Sequence, residues 1–171
     1  MTPAGQWAPP PSGFTERQWK LATLLRPRTE DFWVYYAPRN GAGPQQLRVC
    51  ERSGYDFARL TWQTCAECCR GHVMKIRVTD ERQRQGFGTR MMLRAMRGCE
   101  SYVWTTTPQF EDGRQFFPAL GTALGTGFPA GRSCAHNSAR GGGYAEPRLE
   151  GPPDASRPPG RAGQPSPTGE R

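Results

Sequence analysis

The chain has 171 residues, and its 23 lysines and arginines outnumber 15 acidic residues to give a formal charge of +8. Length supports one folded domain with tails, and 35% hydrophobic residues with 21 glycines and 17 prolines place that domain in the middle of the chain. No apolar run approaches the roughly 18–20 residues needed to cross a bilayer, and no aromatic-interleaved basic stripe or recognition-helix pattern accompanies the charge, so membrane and nucleic acid are set aside as partners.

Residues 1–13 are rich in proline, carry no signal-peptide core and read as a disordered tail, from which a cytoplasmic location is expected. Thr15 is placed to cap a helix, TERQWKLATLL, with Trp19, Leu21, Leu24 and Leu25 on its apolar side and Pro27 limiting its end. Residues 32–36, FWVYY, are a strand by composition, closed by Pro38 and an Asn40-Gly41 turn. In residues 46–51 Leu47 and Val49 alternate with Gln46, Arg48 and Cys50, and after the Ser53-Gly54 turn YDFARLTWQT follows as another strand. With the strand at 72–78 these patterns predict an antiparallel meander.

Residues 73–97, VMKIRVTDERQRQGFGTRMMLRAMR, combine three periodicities. Met74, Ile76 and Val78 alternate with Lys75 and Arg77, as in a half-buried strand. A polar turn leads to Gly86 and Gly88. Then Phe87, Met91 and Ala95 recur every four residues, an apolar helix face beside Arg90, Arg94 and Arg97. Glycines let a backbone approach a ligand closely, and a helix start offers unpaired N–H groups and a positive dipole end. The unit therefore reads as an anion cradle, and between Arg70 and Arg97 eight basic residues stand against Asp80 and Glu81. Gly98 fits a helix end, residues 102–107 (YVWTTT) a strand, and Glu111 to Leu124 a second helix with Phe116, Phe117, Leu120 and Leu124 on its apolar face despite Pro118 and Gly121. Residues 141–171 hold seven prolines and seven glycines, so 137–171 is expected to be a disordered tail and 14–136 the folded domain.

The string Gln83-Arg84-Gln85-Gly86-Phe87-Gly88 after an alternating strand resembles the acetyl-CoA segment of GNAT-type N-acetyltransferases, with Gln83, Gly86 and Gly88 at the defining positions. CERSGYD, the C-x-x-C turn and YVWTTT are also similar to an actinobacterial subgroup of that family without assigned substrates. The resemblance covers about residues 47–128. It implies an α/β fold (an α+β mixed sheet) with splayed central strands and helices on both faces. It further implies that the main chain of Ile76, Arg77 and Val78 pairs with the pantetheine arm and that Gln83, Arg84, Gln85, Gly86, Phe87, Gly88, Thr89 and Arg90 hold the pyrophosphate. The implied reaction moves an acetyl group from acetyl-CoA to a primary amine of unidentified acceptor. Phe117 stands where many members carry a tyrosine acid, and Gln109 or Phe110 where an asparagine is usual. Glu51, Glu67 and Asp112 are the candidate bases. The alternative is a non-catalytic acyl-CoA binder or a zinc-stabilised interaction module.

Six cysteines in a chain expected to be cytoplasmic read as thiols or metal ligands rather than disulfides. Cys65-Ala-Glu-Cys68 has zinc-knuckle spacing, and Cys134-Ala-His136 offers two further soft ligands for a tetrahedral Zn²⁺ site. Cys69 and His72 are spare ligands next to the first pair, while Cys50 and Cys99 read as structural.

Overall fold

Four antiparallel strands follow one another along the chain: β1 (Phe32–Tyr36), β2 (Gln45–Cys50), β3 (Asp56–Cys65) and β4 (Arg70–Val78). The computed structural model describes residues 10, 11, 13–25, 31–39, 41, 43–138 and 143–151. After β4 come α2 (Phe87–Met96), β5 (Val103–Thr106), α3 (Glu111–Leu124) and the short α4 (Ala135–Ser138). With β6 (Arg148–Glu150) the sheet has six strands in the order β5-β4-β3-β2-β1-β6, parallel only between β4 and β5. The protein is thus a mixed α/β fold.

The period-two pattern decides the layers. Trp33, Tyr35, Leu47, Val49, Ala58, Leu60, Trp62 and Val73 form one buried face with Phe87, Met91, Met92, Ala95 and Met96 of α2. Each such large apolar side chain stabilises by about 1.5–3 kcal/mol relative to exposure. Phe117 and Leu120 of α3 extend the same core. Phe32, Val34, Tyr36 and Cys50 point the other way and pack on Trp19 of α1 (Glu16–Leu25), so every residue of β1 is buried.

Helix α1 begins as expected. The Gln18 N–H donates to Thr15 Oγ1 at 3.2 Å and the Thr15 N–H to Gln18 Oε1 at 2.9 Å, a reciprocal cap. Its expected apolar side is not the buried one. Leu21, Leu24 and Leu25 are 59%, 75% and 77% exposed, while Trp19 and Ala22, one turn apart, pack in the core cluster on the sheet.

A glycine and a proline set the β4–β5 junction. A Cβ on Gly71 would stand 2.4 Å from the buried Trp104 ring, so only glycine lets β5 approach there. The parallel register covers only Arg70–Val73 against Val103–Thr106. It ends where Thr107 donates from its N–H to Val73 O and from Oγ1 to Met74 O, both at 3.0 Å, before Pro108 stops the strand. The β3–β4 register also slips between Thr61 and Trp62, leaving Met74 as a bulge. From Lys75 to Val78, β4 has no strand neighbour on that side among the described residues. Helix α3 runs through Pro118 and ends at Gly125, whose φ of +67° is the left-handed conformation glycine accepts.

The expected disordered tail at 137–171 is corrected over its first part. Asn137 is 3% exposed inside α4, and β6 pairs antiparallel with β1, Leu149 opposite Val34. The reason is a charge pair that composition hides: Arg94 donates to both Glu150 carboxylate oxygens at 2.6 and 2.7 Å, fastening β6 beside α2. Nearly all of the expected 1–13 tail, the Asn40 turn position and residues 152–171 lie outside the described residues. Among the described residues no helix is long and apolar enough to cross a membrane.

Two candidate sites at the ends of one strand

At the Val78 end of β4 the chain makes a short 3-10 turn, Asp80–Arg82, and enters α2. Gly86 is the N-cap with φ +79°, and no side chain caps the helix. Arg84 also has a positive φ, +59°. The first intrahelical bond is Arg90 N–H to Gly86 O at 3.0 Å, which leaves the amides of Phe87, Gly88 and Thr89 at an uncapped, positive helix end. A Cβ on Gly88 would meet the Phe116 ring at 3.0 Å, so this glycine lets α2 and α3 close together, whereas Gly86 has nothing within 4 Å.

The strand edge beside this loop is open. Thr79 donates to Phe57 O at 2.9 Å, and alternate residues turn their N–H to the same side. Arg77 therefore faces β3 while the main chain of Ile76 and Val78 faces the unpaired edge. Gln83 does not reach out of the loop. Its Nε2 donates to Val78 O at 3.2 Å and Asp80 Oδ1 at 3.0 Å, and Gln85 Nε2 donates to Glu81 O at 3.0 Å, so both glutamines shape the turn.

Several of the basic residues are already engaged. Arg77 contacts Asp56 at 3.4 Å, Arg82 contacts Glu51 at 3.3 Å, and Arg90 lies over the Trp33 and Phe87 rings at 5.6 and 4.4 Å. Lys75 and Arg84 are exposed with no ion pair among the described residues. Of the candidate bases, Glu51 is held by Arg82 and Asp112 is exposed in the first turn of α3. Asp31, which the sequence reading did not single out, sits at the mouth of β1. Burial raises its carboxyl, with Arg82 and Arg90 pulling the other way and Glu51 adding to the rise. At the front of α3, Phe116 rather than Phe117 faces Gly88, while Phe117 is buried against Phe128. Gln109 donates to Thr106 Oγ1 and Phe128 O at 3.0 and 2.8 Å, and Phe110 is 89% exposed.

At the Arg70 end, about 26 Å away over eight steps of strand, the four soft ligands named from the sequence converge. The ligand atoms of Cys65, Cys68, Cys134 and His136 all lie within 4.8 Å of one another. His136 Nδ1 is 3.7 Å from Cys65 Sγ and 3.2 Å from Cys68 Sγ. Cys65 closes β3, Cys68 sits in the tight turn before Arg70, and Cys134 and His136 bracket the start of α4. The group can hold a metal such as zinc. The Cys65 thiol is held down to about 7, first by the Cys68 N–H that donates to it, and against its burial by hydrogen bonds with Cys134, His136 and Cys68. Cys68 is pushed up to about 11 by the hydrogen bond to Cys65, by burial and by the neighbouring thiols.

Three residues have other roles than the sequence suggested. Glu67 Oε2 lies 3.4 Å from His136 Nε2, next to the thiols and not at the cleft. Cys69 Sγ turns to Ala66 O at 3.5 Å, and His72 Nδ1 to Thr105 Oγ1 at 2.9 Å, so neither joins the cluster.

An open groove of about 1000 Å³ lies elsewhere, between α3 and the segment that follows it, lined by Gln109, Arg114, Phe117, Thr122 and Phe128 among others. A smaller one of about 340 Å³ lies against Leu21, Leu25 and Leu149. No model of a known protein family matches the chain, and no curated protein matches it.

Proposed function

We propose that the chain binds acetyl-CoA in the manner of GNAT-type acetyltransferases and transfers its acetyl group to a primary amine. The observation that carries this reading is the open main-chain edge of β4 at Ile76 and the Val78 N–H, lying beside the uncapped first turn of α2, with the Val78 carbonyl taken by Gln83. An extended pantetheine arm carries amides that can pair with such an edge, and a pyrophosphate suits the free amides of Phe87, Gly88 and Thr89 in a loop that also carries the exposed Arg84. The thioester then lies toward Met74 and Thr107, where β4 and β5 join.

In the reaction a neutral amine nitrogen attacks the thioester carbonyl, a C–N bond forms, the C–S bond breaks and coenzyme A leaves as a thiol. Proximity supplies most of the acceleration. Neither Phe116 nor Phe117 offers a hydroxyl, so the leaving sulfur takes its proton from solvent. Asp31 lies three strands away at the loop end of the sheet, beside Arg82, Arg90 and Glu51, so the amine proton passes to solvent water rather than to that carboxylate.

Calorimetry with acetyl-CoA tests the binding. The expected result is a Kd at or below about 100 µM, within the usual substrate range. No heat and no thermal shift at about 1 mM would end this reading. Thiol release across a panel of primary amines then separates an enzyme from a silent binder.

A further inference from the structure

We propose that Cys65, Cys68, Cys134 and His136 bind a single zinc ion, with His136 ligating through Nδ1 while Glu67 holds its Nε2–H, and that the ion staples the segment after α3 to the β3–β4 turn. The claim is independent of acetyl-CoA binding.

Distances argue for one ion. A tetrahedron with metal–sulfur about 2.3 Å and metal–nitrogen about 2.0–2.1 Å puts sulfur and nitrogen about 3.5 Å apart. The two separations from His136 Nδ1, 3.2 and 3.7 Å, bracket that value. Three sulfurs and one imidazole suit zinc over hard cations, which prefer oxygen. The Cys68 N–H that donates to Cys65 Sγ is the bond that spreads thiolate charge in such a turn.

Glu67 strengthens the assignment because it fixes which nitrogen is free. A ligating histidine commonly donates its other N–H to a carboxylate, which sets its tautomer and ring orientation. Here Nδ1 faces the thiols and Nε2 faces Glu67. Four protein ligands fill the coordination sphere, so the site is structural, with no open position for water or substrate. The thiols bind as thiolates and release their protons to solvent.

The consequence is mechanical. Ala130 bridges to Thr106 at the outer edge of β5, with Thr106 N–H to Pro129 O at 2.9 Å and Gly131 N–H to Thr106 O at 2.8 Å. That bridge, the buried Phe128 and the Gln109 bond to Phe128 O at 2.8 Å secure the segment up to residue 131, and the ion would extend the hold past it. Cys134 and His136 follow within a few residues, and the ion would anchor them to the hairpin.

Elemental analysis of the full chain purified without chelator is the test. The expected result is about one zinc per chain, falling below about a tenth in Cys68→Ser and Cys134→Ser and unchanged in Cys69→Ser. Glu67→Gln should still saturate but with zinc affinity lowered about 10–100-fold. Should the cysteine variants fail to fold, cobalt substitution of the wild type decides: tetrahedral thiolate bands support the site, and octahedral spectra overturn it. Absence of zinc that excess zinc does not remedy, fewer than six free thiols in the denatured protein, or equal loss in Cys69→Ser would each overturn it too. Chelation should speed tryptic cleavage at the exposed Arg132, and an unchanged rate would refute the staple.

Discussion

The two ends of β4 solve the problem of binding in opposite ways. At the Arg70 end, side chains from elements almost 70 residues apart in sequence converge within 4.8 Å, and the backbone serves to aim them. At the Val78 end the backbone itself is the donor, and the side chains of Gln83 and Gln85 are spent on shaping the loop. A site made of side chains can be abolished by one substitution that leaves the chain path alone. A site made of amides yields only to changes in conformation.

The largest expected effect strikes both ends together. Gly71→Ala puts a methyl 2.4 Å from a Trp104 ring that is fully buried, so β5 must move away from β4. A loss of about 3 kcal/mol or more is expected in urea denaturation, from overpacking that cannot relax. An unchanged midpoint would mean that the β4–β5 junction is looser than described.

Cys134→Ser separates the ends. In excess zinc the wild type should gain about 3–4 kcal/mol over its chelated form, as binding at 100–1,000 times Kd provides. The variant should melt at the same temperature with and without chelator, while its acetyl-CoA affinity stays within about twofold of wild type.

Gly86→Ala acts on the other end only. The methyl finds open space, but φ of +79° costs an L-residue about 1 kcal/mol. Acetyl-CoA affinity should fall about tenfold with zinc content unchanged, as the first-turn amides reorient. Equal affinity in calorimetry would remove the loop from the ligand's path.

The smallest effect is on pH dependence. Burial lowers the pKa of His72 below its ordinary 6.5, so the folded chain favours the neutral ring. The unfolded chain then binds the extra proton first, and stability is full above about pH 6.5 and declines as pH falls below it. His72→Asn, which can keep the hydrogen bond to Thr105, should flatten that decline in melts compared at matched pH.

How much could be read in advance follows the same division. Alternation gave β2 to β4 and the helical repeat gave α2, because each lies against a core on a defined face. C-x-x-C and C-x-H spacing gave all four clustered ligands, since metal chemistry restricts residue type. Leu21, Leu24 and Leu25 misled because an apolar stripe says nothing about whether a partner surface extends under it. Glu67 looked like a catalytic base because a carboxylate's role depends on its neighbour, and its neighbour is 69 positions away. The Arg94–Glu150 pair was invisible for the same reason, hidden in a stretch whose glycine and proline content argued for disorder.

That pair has a practical consequence. Strand β6 covers the outer main-chain edge of β1, whose sequence FWVYY is an uncharged aromatic run of high β-propensity. A chain cut after residue 138 would keep the larger core and both binding ends, lose Tyr144 and Leu149 from the smaller core, and present a bare aromatic edge to its own copies. It should fold and then self-associate through that edge. The three residues of β6 therefore guard solubility as well as stability, and any trimming of the chain should keep residue 150.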